Sequence, residues 1–478
     1  VLPMRVVASR NVRGGRVVIH ARPAHMRHLA AVLAACAGLC AAGALLWGGE
    51  RGRGFVGQHP FRGRDARAAA RRTATRRGAS SPTSSGLCVA GEALIDFLPT
   101  CTADGDDGYR WRAGGSPFNV CIGAARLGLP VSFLGTLSTD LFGEELHEAL
   151  RHEGVDLGLV ERVGRPTTLA FVSQARGAAD VRYAFFKENA ADRALTADGV
   201  LKALSVRSFG AAHVSLGAVT LEDESMAEAF EAFFSAAKAG GAFTSFDPNI
   251  RQPMIVGGRE AYRGRVERLT QAVDVAKASD ADIEFLYGEA PLLDDRQSVS
   301  GRPAQQLAGR LEGADLDAVA GRWLDLGARL VVVTRGPKGA TAYVKVARGP
   351  DGDTQVVSIR KAPPCSDSQT VDSEGRPVPV VDTVGAGDTL TGALLAGLLG
   401  VGGATAAEGG GSLVAQVSGA APWAEAEEGA AASASLPRLG AVLARAVAAA
   451  AVTCSRPGAD PPTAEELERV LAVVNVVR

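Results

Sequence analysis

Residues 382–388 read Asp-Thr-Val-Gly-Ala-Gly-Asp and combine residue types that can bind an anion and move a proton. Two β-branched residues precede this segment, and an apolar helical pattern follows it at 390–399. Because they lack a Cβ, glycines let the backbone approach a ligand closely, and the first N–H groups of a helix are unpaired and partly positive. The order of strand, glycine turn and helix therefore predicts a phosphate site lined by Gly385, Ala386 and Gly387.

Asp388 follows this anion site directly. A carboxylate beside a phosphate repels it, unless the carboxylate is there to take a proton from an attacking hydroxyl. That pairing is what phosphoryl transfer from a nucleotide to an alcohol requires. The alternative is that Asp388 only caps the helix that begins there.

The elements that would position these residues alternate between strands and helices. Residues 330–334 are a continuous apolar run, which indicates a strand buried on both faces and hence a parallel sheet. Residues 87–97 predict a first buried strand, and 440–452 predict an Ala/Val helix. This order favours a single doubly wound α/β domain, in which ligands bind at the carboxyl ends of the strands.

Two segments together carry a resemblance to a known family. Residues 113–128, with a Gly-Gly turn followed by Asn119, and the heptad 382–388 resemble the two signatures of the ribokinase/pfkB family of sugar and nucleoside kinases. The resemblance covers 87–478, apart from inserted loops at about 291–317 and 401–436. It implies a ribokinase-like, mostly parallel sheet flanked by helices, with a small β lid from about 99–112 and 167–187.

The resemblance implies a sugar site near the amino-terminal signature. Asp96, Gly114, Gly115 and Asn119 match positions that hold the sugar in fructokinase-like members, and Lys187 stands where those members usually have Arg. A carboxylate accepts from two hydroxyls at once, and an amide side chain both donates and accepts. Lys lacks the planar fork of Arg, so this departure bears on sugar identity.

The resemblance also implies a nucleotide and metal site. Thr334, Gly336 and Gly339 match a turn at the nucleotide, and Gly458 follows a helix that borders the adenine in relatives. Ser279 and Asp282 match the region that helps hold Mg²⁺ through water, with Asp in place of the family's Glu. ATP and Mg²⁺ are therefore the expected cofactors, and many relatives also need K⁺ near the turn at 382–383.

We thus expect an ATP-dependent sugar kinase that transfers the γ-phosphoryl group to a sugar hydroxyl, with fructokinase as the first hypothesis. The alternatives are a kinase for 2-keto-3-deoxygluconate, ribose or a nucleoside, and a non-catalytic fructokinase-like plastid protein. Family members with an edge lid often pair, so a homodimer is compatible with the resemblance. The other expected partners are the sugar and ATP.

Composition separates a basic leader from the rest of the chain. The 478 residues are 46% hydrophobic and 22% charged, with a net charge of −1. Residues 1–86 hold fifteen Arg, no Lys and two acids, which leaves a mildly acidic body. That body shows no basic stripe with interleaved aromatics, which argues against nucleic-acid binding. Seven scattered Cys without paired spacing argue against structural zinc and a disulfide framework.

The leader has two parts. Residues 29–47 are wholly apolar and follow a short basic region, as in a signal peptide or signal anchor. An Arg-rich, Ser-containing and acid-poor stretch follows, which is typical of a transit peptide. The pair resembles the bipartite leader of algal plastid proteins, so we expect plastid targeting, no stable structure over 1–86 and no membrane contact after cleavage. The alternatives are a cytoplasmic protein, a membrane anchor and spurious upstream translation.

Overall fold

The structure, a computed structural model, describes most of the chain after the leader. The described residues are 86–101, 107–174, 181–215, 224–251, 255, 257–288, 313–348, 353–364, 369–401, 412–419, 421, 423 and 435–477. Residues 1–85 of the predicted leader, residues 291–312 of the first predicted loop and residues 402–411, 420, 422 and 424–434 of the second therefore lie outside the described residues.

The strands are, in chain order, β1 (Leu87–Ala90), β2 (Leu94–Cys101), β3 (Asp107–Gly114), β4 (Val131–Ser138), β5 (Asp156–Val163), β6 (Leu169–Gln174), β7 (Val181–Phe186), β8 (Ala211–Ser215), β9 (Phe243–Asp247), β10 (Val275–Ser279), β11 (Leu330–Thr334), β12 (Ala340–Arg348), β13 (Asp353–Lys361), β14 (Gln369–Val371) and β15 (Pro377–Pro379). The helices are α1 (Ser116–Arg126), α2 (Leu141–His152), α3 (Ala197–Leu204), α4 (Glu224–Ala239), α5 (Arg259–Ala272), α6 (Asp280–Tyr287), α7 (Gly313–Leu326), α8 (Ala386–Leu398), α9 (Val414–Val417), α10 (Ser435–Cys454) and α11 (Ala464–Val477).

Nine of these strands form the central sheet, in the order β13-β12-β11-β10-β9-β8-β1-β4-β5. The seven strands from β11 to β5 are parallel, and the β12–β13 hairpin is antiparallel at one edge. The chain runs outwards from β1 in both directions, so the order of the strands reverses at β1 and β8. In such sheets ligands bind outside the carboxyl ends of the strands at this point.

The strands are apolar because both faces of the sheet are buried. Within β11, Leu330 and Val332 face one core while Val331 and Val333 face the other. Helices α1, α2, α8 and α10 pack into the first core, and α3 to α7 pack into the second. The doubly wound α/β fold predicted from the alternating pattern is confirmed.

A second sheet has four strands in the order β3-β2-β6-β7, and we call it the small sheet. Its strands overlap the segments predicted to form a lid, while the turn predicted at 177–180 lies outside the described residues. The prediction of one continuous strand over 87–97 is wrong. The chain breaks at Gly91, where φ is +144° and a Cβ would stand 2.4 Å from the Pro117 ring, so β1 and β2 belong to different sheets.

The described part of the second predicted loop is packed. Leu413 and Val417 at α9 are fully buried, and the indole N–H of buried Trp423 donates to the Arg329 carbonyl at 3.1 Å. The second insertion, which we expected to be a mobile loop, is therefore packed at Leu413, Val417 and Trp423, because these apolar side chains lie in the core.

One described helix, α10, is long and apolar enough to span a membrane. In the most apolar 18-residue stretch of this helix 67% of the residues are buried inside the fold, as in the core helix of a folded domain. The apolar run predicted as a signal segment at 29–47 lies outside the described residues.

Candidate active site

Asp388 lies in the first turn of α8 and points away from its own helix. Gly385 takes the left-handed conformation, φ +74°, immediately before the helix. The Asp388 carboxylate accepts from the Ser116 hydroxyl at 2.6 Å and from the Asn119 amide at 2.8 Å. The N-cap residue of α8 is Gly385, and the Asp388 carboxylate is bonded to two side chains of α1, so the alternative that Asp388 only caps the helix is wrong.

Close helix packing brings these residues together across the sequence. A Cβ on Gly392 of α8 would stand 2.9 Å from the Ala124 nitrogen and 3.1 Å from the Val120 oxygen of α1. The two helices therefore touch through backbone atoms at this point. That contact places the first turn of α8 against the Gly-Gly turn at the start of α1.

The predicted anion site comprises Gly385, Ala386 and Gly387 at the start of α8, where the Ala386 N–H donates to the Thr383 carbonyl at 3.3 Å. Thr389 donates to the Gly385 carbonyl at 2.8 Å and so makes the first helical bond of this segment. The N–H groups of Gly387 and Asp388 precede it and belong to the first-turn donors that have no partner within a helix. These donors share the turn with the Asp388 carboxylate.

The charge state of Asp388 reflects opposing effects. Burial raises the pKa of this carboxyl, and the hydrogen bonds from Ser116 and Asn119 and the positive charge of Lys277 act in the other direction, with a net rise. A raised carboxyl pKa brings the group nearer to the range in which a base accepts a proton efficiently at neutral pH.

Asp96 and the Gly-Gly turn form the opposite wall. Asp96 lies on β2, and a Cβ on Gly114 of the neighbouring β3 would stand 2.5 Å from its Oδ2 atom. At Gly115 φ is +103°, and a Cβ would stand 2.9 Å from the Glu92 carbonyl oxygen. Both glycines are thus required by their surroundings, and the first leaves room for the Asp96 carboxylate.

Two further carboxyl groups are buried beside this wall, and no sequence prediction gave them a role. Glu92 and Asp192 are each 3% exposed, and one oxygen of each side chain has no hydrogen-bond partner among the residues that the structure describes. Thr168 donates to the other Asp192 oxygen at 2.7 Å. Burial raises the pKa of Glu92 well above its ordinary value, and the charge of Asp192 adds to that effect. Burial likewise raises the pKa of Asp192, and the hydrogen bond from Thr168 and the charges of Arg193 and Lys187 oppose that rise. Lys187, which follows β7, therefore acts on this group of acids.

Lys277 and Asp247 form a buried ion pair beneath α8. Their side chains are 6% and 1% exposed, and the distance from the Lys277 Nζ atom to Asp247 Oδ2 is 2.7 Å. The other Asp247 oxygen accepts from the Asn249 N–H at 3.0 Å, so Asp247 also fixes the turn after β9.

Asp282 caps the helix in which it lies. One carboxylate oxygen accepts from the Ser279 N–H and hydroxyl at 2.8 and 2.7 Å, and the other accepts from the Ile250 N–H at 2.8 Å. Ser279 in turn accepts from the Asp282 N–H, which completes a capping box at the start of α6. The carboxylate predicted for Mg²⁺ is therefore held by protein donors.

The predicted nucleotide residues lie on two turns. Thr334 ends β11 beside Ser279, and Gly336 and Gly339 take positive φ in the turn to β12. The Gly458 turn follows α10, and its N–H donates to Asp382 Oδ2 at 2.8 Å, while Asp382 Oδ1 accepts from Val384.

Comparison with known proteins identifies the family. The model of the pfkB family carbohydrate kinases matches residues 84–427. This chain belongs to the pfkB family of carbohydrate kinases. It is 35% identical over 312 residues to a fructokinase of Rhizobium leguminosarum bv. trifolii, an alignment that covers 65% of this chain and 79% of that protein. A tomato (Solanum lycopersicum) fructokinase-2 is 31% identical over 66% of this chain and 82% of its own length.

A solved structure supports the fold of this pfkB kinase. The fructokinase of Xylella fastidiosa with bound ATP matches with a TM-score of 0.58 and 22% identity, over 82% of this chain and 99% of that one. The ribokinase-like architecture predicted from the sequence is confirmed.

The carboxylates around α8 show how the site suits the Mg²⁺ ion that kinases of this family imply. Asp247, Asp282 and Asp388 are each engaged by protein donors, and among the described residues no group of three His, Cys, Asp or Glu side chains is arranged to hold a metal. Mg²⁺ commonly keeps its waters and binds substrate phosphates with one or two carboxylates. The site of this pfkB kinase is therefore compatible with a Mg²⁺ ion that would be held mainly by the phosphates of the nucleotide and only to a small extent by protein side chains.

Sequence reasoning missed Ser116, Lys277 and Glu92. Lys277 is a lone charge in the buried strand β10, and an isolated lysine there requires a partner of opposite charge. The need for such a partner is a signal in the sequence that points to Lys277. Glu92 carried no comparable signal, because an acid between two strands is common in turns.

Proposed function

We propose that this pfkB kinase is a fructokinase that transfers the γ-phosphoryl group of ATP to a hydroxyl of the sugar. The observation that carries the proposal is the placement of the Asp388 carboxylate within hydrogen-bond distance of Ser116 and Asn119 at the start of α8. A base, a row of backbone N–H donors and a glycine turn then share one site. Similarity to fructokinases over about two thirds of the chain supports the choice of sugar.

In the proposed mechanism Asp388 takes the proton of the sugar hydroxyl as its oxygen attacks the γ-phosphorus. The bond from phosphorus to the β-phosphate oxygen breaks, and its electron pair leaves with ADP. N–H groups of the turn from Gly385 through Ala386 and Gly387 to Asp388 would stabilise the charge on the transferring group. Asp96, Gly114, Gly115, Asn119 and Lys187 hold the sugar in the required orientation, which lowers the entropic part of the barrier.

The nucleotide would lie along the two turns beside α8. Thr334, Gly336 and Gly339 would border its phosphates and ribose, and Gly458 its base. Mg²⁺ would neutralise charge on the phosphates, and Asp282 would orient one of its waters. A K⁺ requirement near Asp382 and Thr383 is a further proposal, tested by activity in potassium and in tetramethylammonium buffers.

A substrate panel tests the proposal. The purified chain is assayed for ADP formation with fructose, 2-keto-3-deoxygluconate, ribose and a nucleoside, with and without Mg²⁺. We expect fructose to give the highest kcat/KM and Asp388→Asn to lower kcat by about 10²–10⁴-fold while ATP still binds. A higher kcat/KM for another sugar would replace fructose, and sugar-independent ADP formation would contradict the kinase assignment.

The leader and the oligomeric state complete the proposal. We infer plastid targeting from the leader, and N-terminal sequencing of the mature protein shows whether a cleavage occurs before the kinase body. A homodimer through the small sheet is supported by exposed aromatic residues there: Tyr109 is 51%, Trp111 42% and Phe186 62% exposed. Sedimentation of the wild type and of Trp111→Ser tests this contact.

A further inference from the structure

The side of the central sheet that faces α8 changes from apolar to polar along the strands. At the amino ends Ala211, Phe243 and Val275 belong to the core that α8 covers. Towards the carboxyl ends the same face of β8, β9 and β10 carries polar residues instead, in the order His213 and Ser215, Ser245 and Asp247, and Lys277. These polar residues lie where the first turn of α8 meets the sheet.

Neutral groups occupy most of this polar patch. His213 exchanges hydrogen bonds with Ser245 at 3.1 Å and with Ser215 at 3.0 Å, and burial with the nearby charge of Lys277 lowers its pKa to about 3. His213 is therefore uncharged at neutral pH. The fixed positive charge of the patch is the Lys277 ammonium.

The Lys277 ammonium lies against the anion site. A Cβ on Gly387 would stand 3.4 Å from the Nζ atom, so the ammonium lies beside the first turn of α8 at the glycine that follows Ala386. Three carboxylates, those of Asp247, Asp282 and Asp388, act on its charge. Among the described residues the ammonium makes one hydrogen bond, to Asp247, although it carries three donors.

Stability alone does not account for this pair. A buried ion pair is often no more stabilising than apolar residues of the same volume, because desolvation offsets the attraction. A triphosphate that approaches α8 would also meet the negative charge of Asp388. A buried cation at Gly387 reduces that repulsion and leaves two donors for an anionic ligand.

We propose that Lys277 is part of the phosphate site and contacts the γ-phosphoryl group of the nucleotide during its transfer, with Asp247 as the residue that positions it. The inference rests on the proposed ATP-dependent function. Lys277 remains protonated throughout, since Asp388 receives the proton and ADP the electron pair. Lys277 thus binds the γ-phosphate, and other residues bind the sugar.

The test compares a triphosphate with a diphosphate. Calorimetric titration with Mg²⁺ measures the affinity for the non-hydrolysable analogue AMP-PNP and for ADP. In Lys277→Met we expect the preference for the triphosphate to fall by about 10–100-fold, the range of one charge-assisted hydrogen bond, with ADP affinity unchanged. Lys345→Met is the control for the loss of a paired lysine, because Lys345 on β12 of the same sheet forms an exposed ion pair with Asp325 of α7 at 2.7 Å, away from α8.

A second variant covers the case in which Lys277→Met fails to fold. Lys277→Met combined with Asp247→Asn removes both charges, and we expect the same loss of triphosphate preference. Asp247→Asn alone is expected to weaken that preference by a smaller factor. A wild-type triphosphate preference in either folded lysine variant overturns the inference. If the wild type binds neither AMP-PNP nor ADP, both the inference and the proposed ATP-dependent function are wrong. If the enzyme prefers a sugar other than fructose, the inference about Lys277 is unaffected.

Discussion

Asp96 presents a carboxyl group that titrates within the physiological range. Burial raises its pKa to about 6, the charge of Arg251 opposes this rise and that of Asp388 adds to it. In the proposed sugar site the carboxylate would accept from two sugar hydroxyls above that pH, and protonation below it would remove an acceptor. The affinity of the sugar site should therefore depend on pH.

The first prediction follows from this titration. The dissociation constant for the sugar, measured by calorimetry, is expected to be constant from pH 8 to 7 and to rise by about tenfold per unit below pH 6, because protonation removes the binding form. Asp96→Asn should bind the sugar weakly and without this dependence. Wild-type affinity that does not change between pH 7 and 5 would exclude Asp96 from the sugar site.

Gly114 gives a second prediction at the same wall. A methyl group there would stand 2.5 Å from Asp96 Oδ2 and must push the carboxylate aside. Gly114→Ala is expected to raise KM for the sugar about 10-fold or more, as the loss of one or two hydrogen bonds implies, and to leave nucleotide affinity unchanged. Steady-state kinetics with each substrate varied in turn separates the two effects. An equal loss of affinity for both substrates would point to unfolding instead.

The sequence was informative about these residues where spacing and chemistry coincide. Asp388 and Asn119 lie in separate motifs, and their expected convergence on one site is observed as a hydrogen bond of 2.8 Å. The sequence predicts a role in Mg²⁺ binding for Asp282. The spacing of residues does not reveal that its carboxylate accepts hydrogen bonds from Ile250 and Ser279. Contacts between distant backbone and side-chain atoms depend on the three-dimensional arrangement of the elements.

At the scale of elements, the contact between α1 and α8 decides whether the site is assembled. A methyl group at position 392 meets backbone atoms of Ala124 and Val120, which have little room to move. We expect Gly392→Ala to separate the helices, to lower the free energy of unfolding by about 1–3 kcal/mol through overpacking, and to lower kcat by moving Asp388 relative to the sugar.

The control for this variant is another helical glycine. Gly264 lies within α5, where a Cβ would meet nothing within 4 Å. Gly264→Ala is expected to stabilise the protein by about 0.5–1 kcal/mol, because alanine favours the helix, with unchanged kcat. Urea unfolding and kinetics of both variants provide the test. If the two variants behave alike, the close approach of α1 and α8 is not what positions Asp388.

The break between β1 and β2 shows why element boundaries were harder to predict than element types. Residues 87–97 are apolar almost throughout, and each half is a strand as expected. The division at Gly91 depends on Pro117, which lies far along the chain and packs against the glycine. A glycine within an apolar run permits a break, and tertiary contacts decide whether one occurs.

At the scale of the whole molecule, buried acids make stability depend on pH. The pKa values of Glu92 and Asp192 are raised in the folded state. Between the unfolded and folded pKa values the folded protein binds more protons, so stability falls as pH rises, by about 1.4 kcal/mol per pH unit for each group.

Glu92→Gln tests this dependence. The variant keeps the shape of the side chain and cannot ionise, so its free energy of unfolding should fall less steeply between pH 5 and 8 than that of the wild type. Chemical denaturation across this range is the measurement. Glu161→Gln, at an exposed position on β5, serves as control and should keep the wild-type slope. An unchanged slope in Glu92→Gln would show that Glu92 ionises without cost.

One carboxylate joins two loops through a hydrogen bond between residues that are 76 positions apart in the chain. Asp382 accepts from Val384 on one side and from Gly458 on the other, and a Cβ on Gly385 would stand 2.3 Å from that of Ala459. A movement of either loop would therefore displace the other. If the second loop borders the nucleotide base and the first carries Asp388, as proposed, a substitution that changes base preference at the second loop would disturb catalysis at the first. A change of nucleotide preference would then require compensating substitutions in both loops.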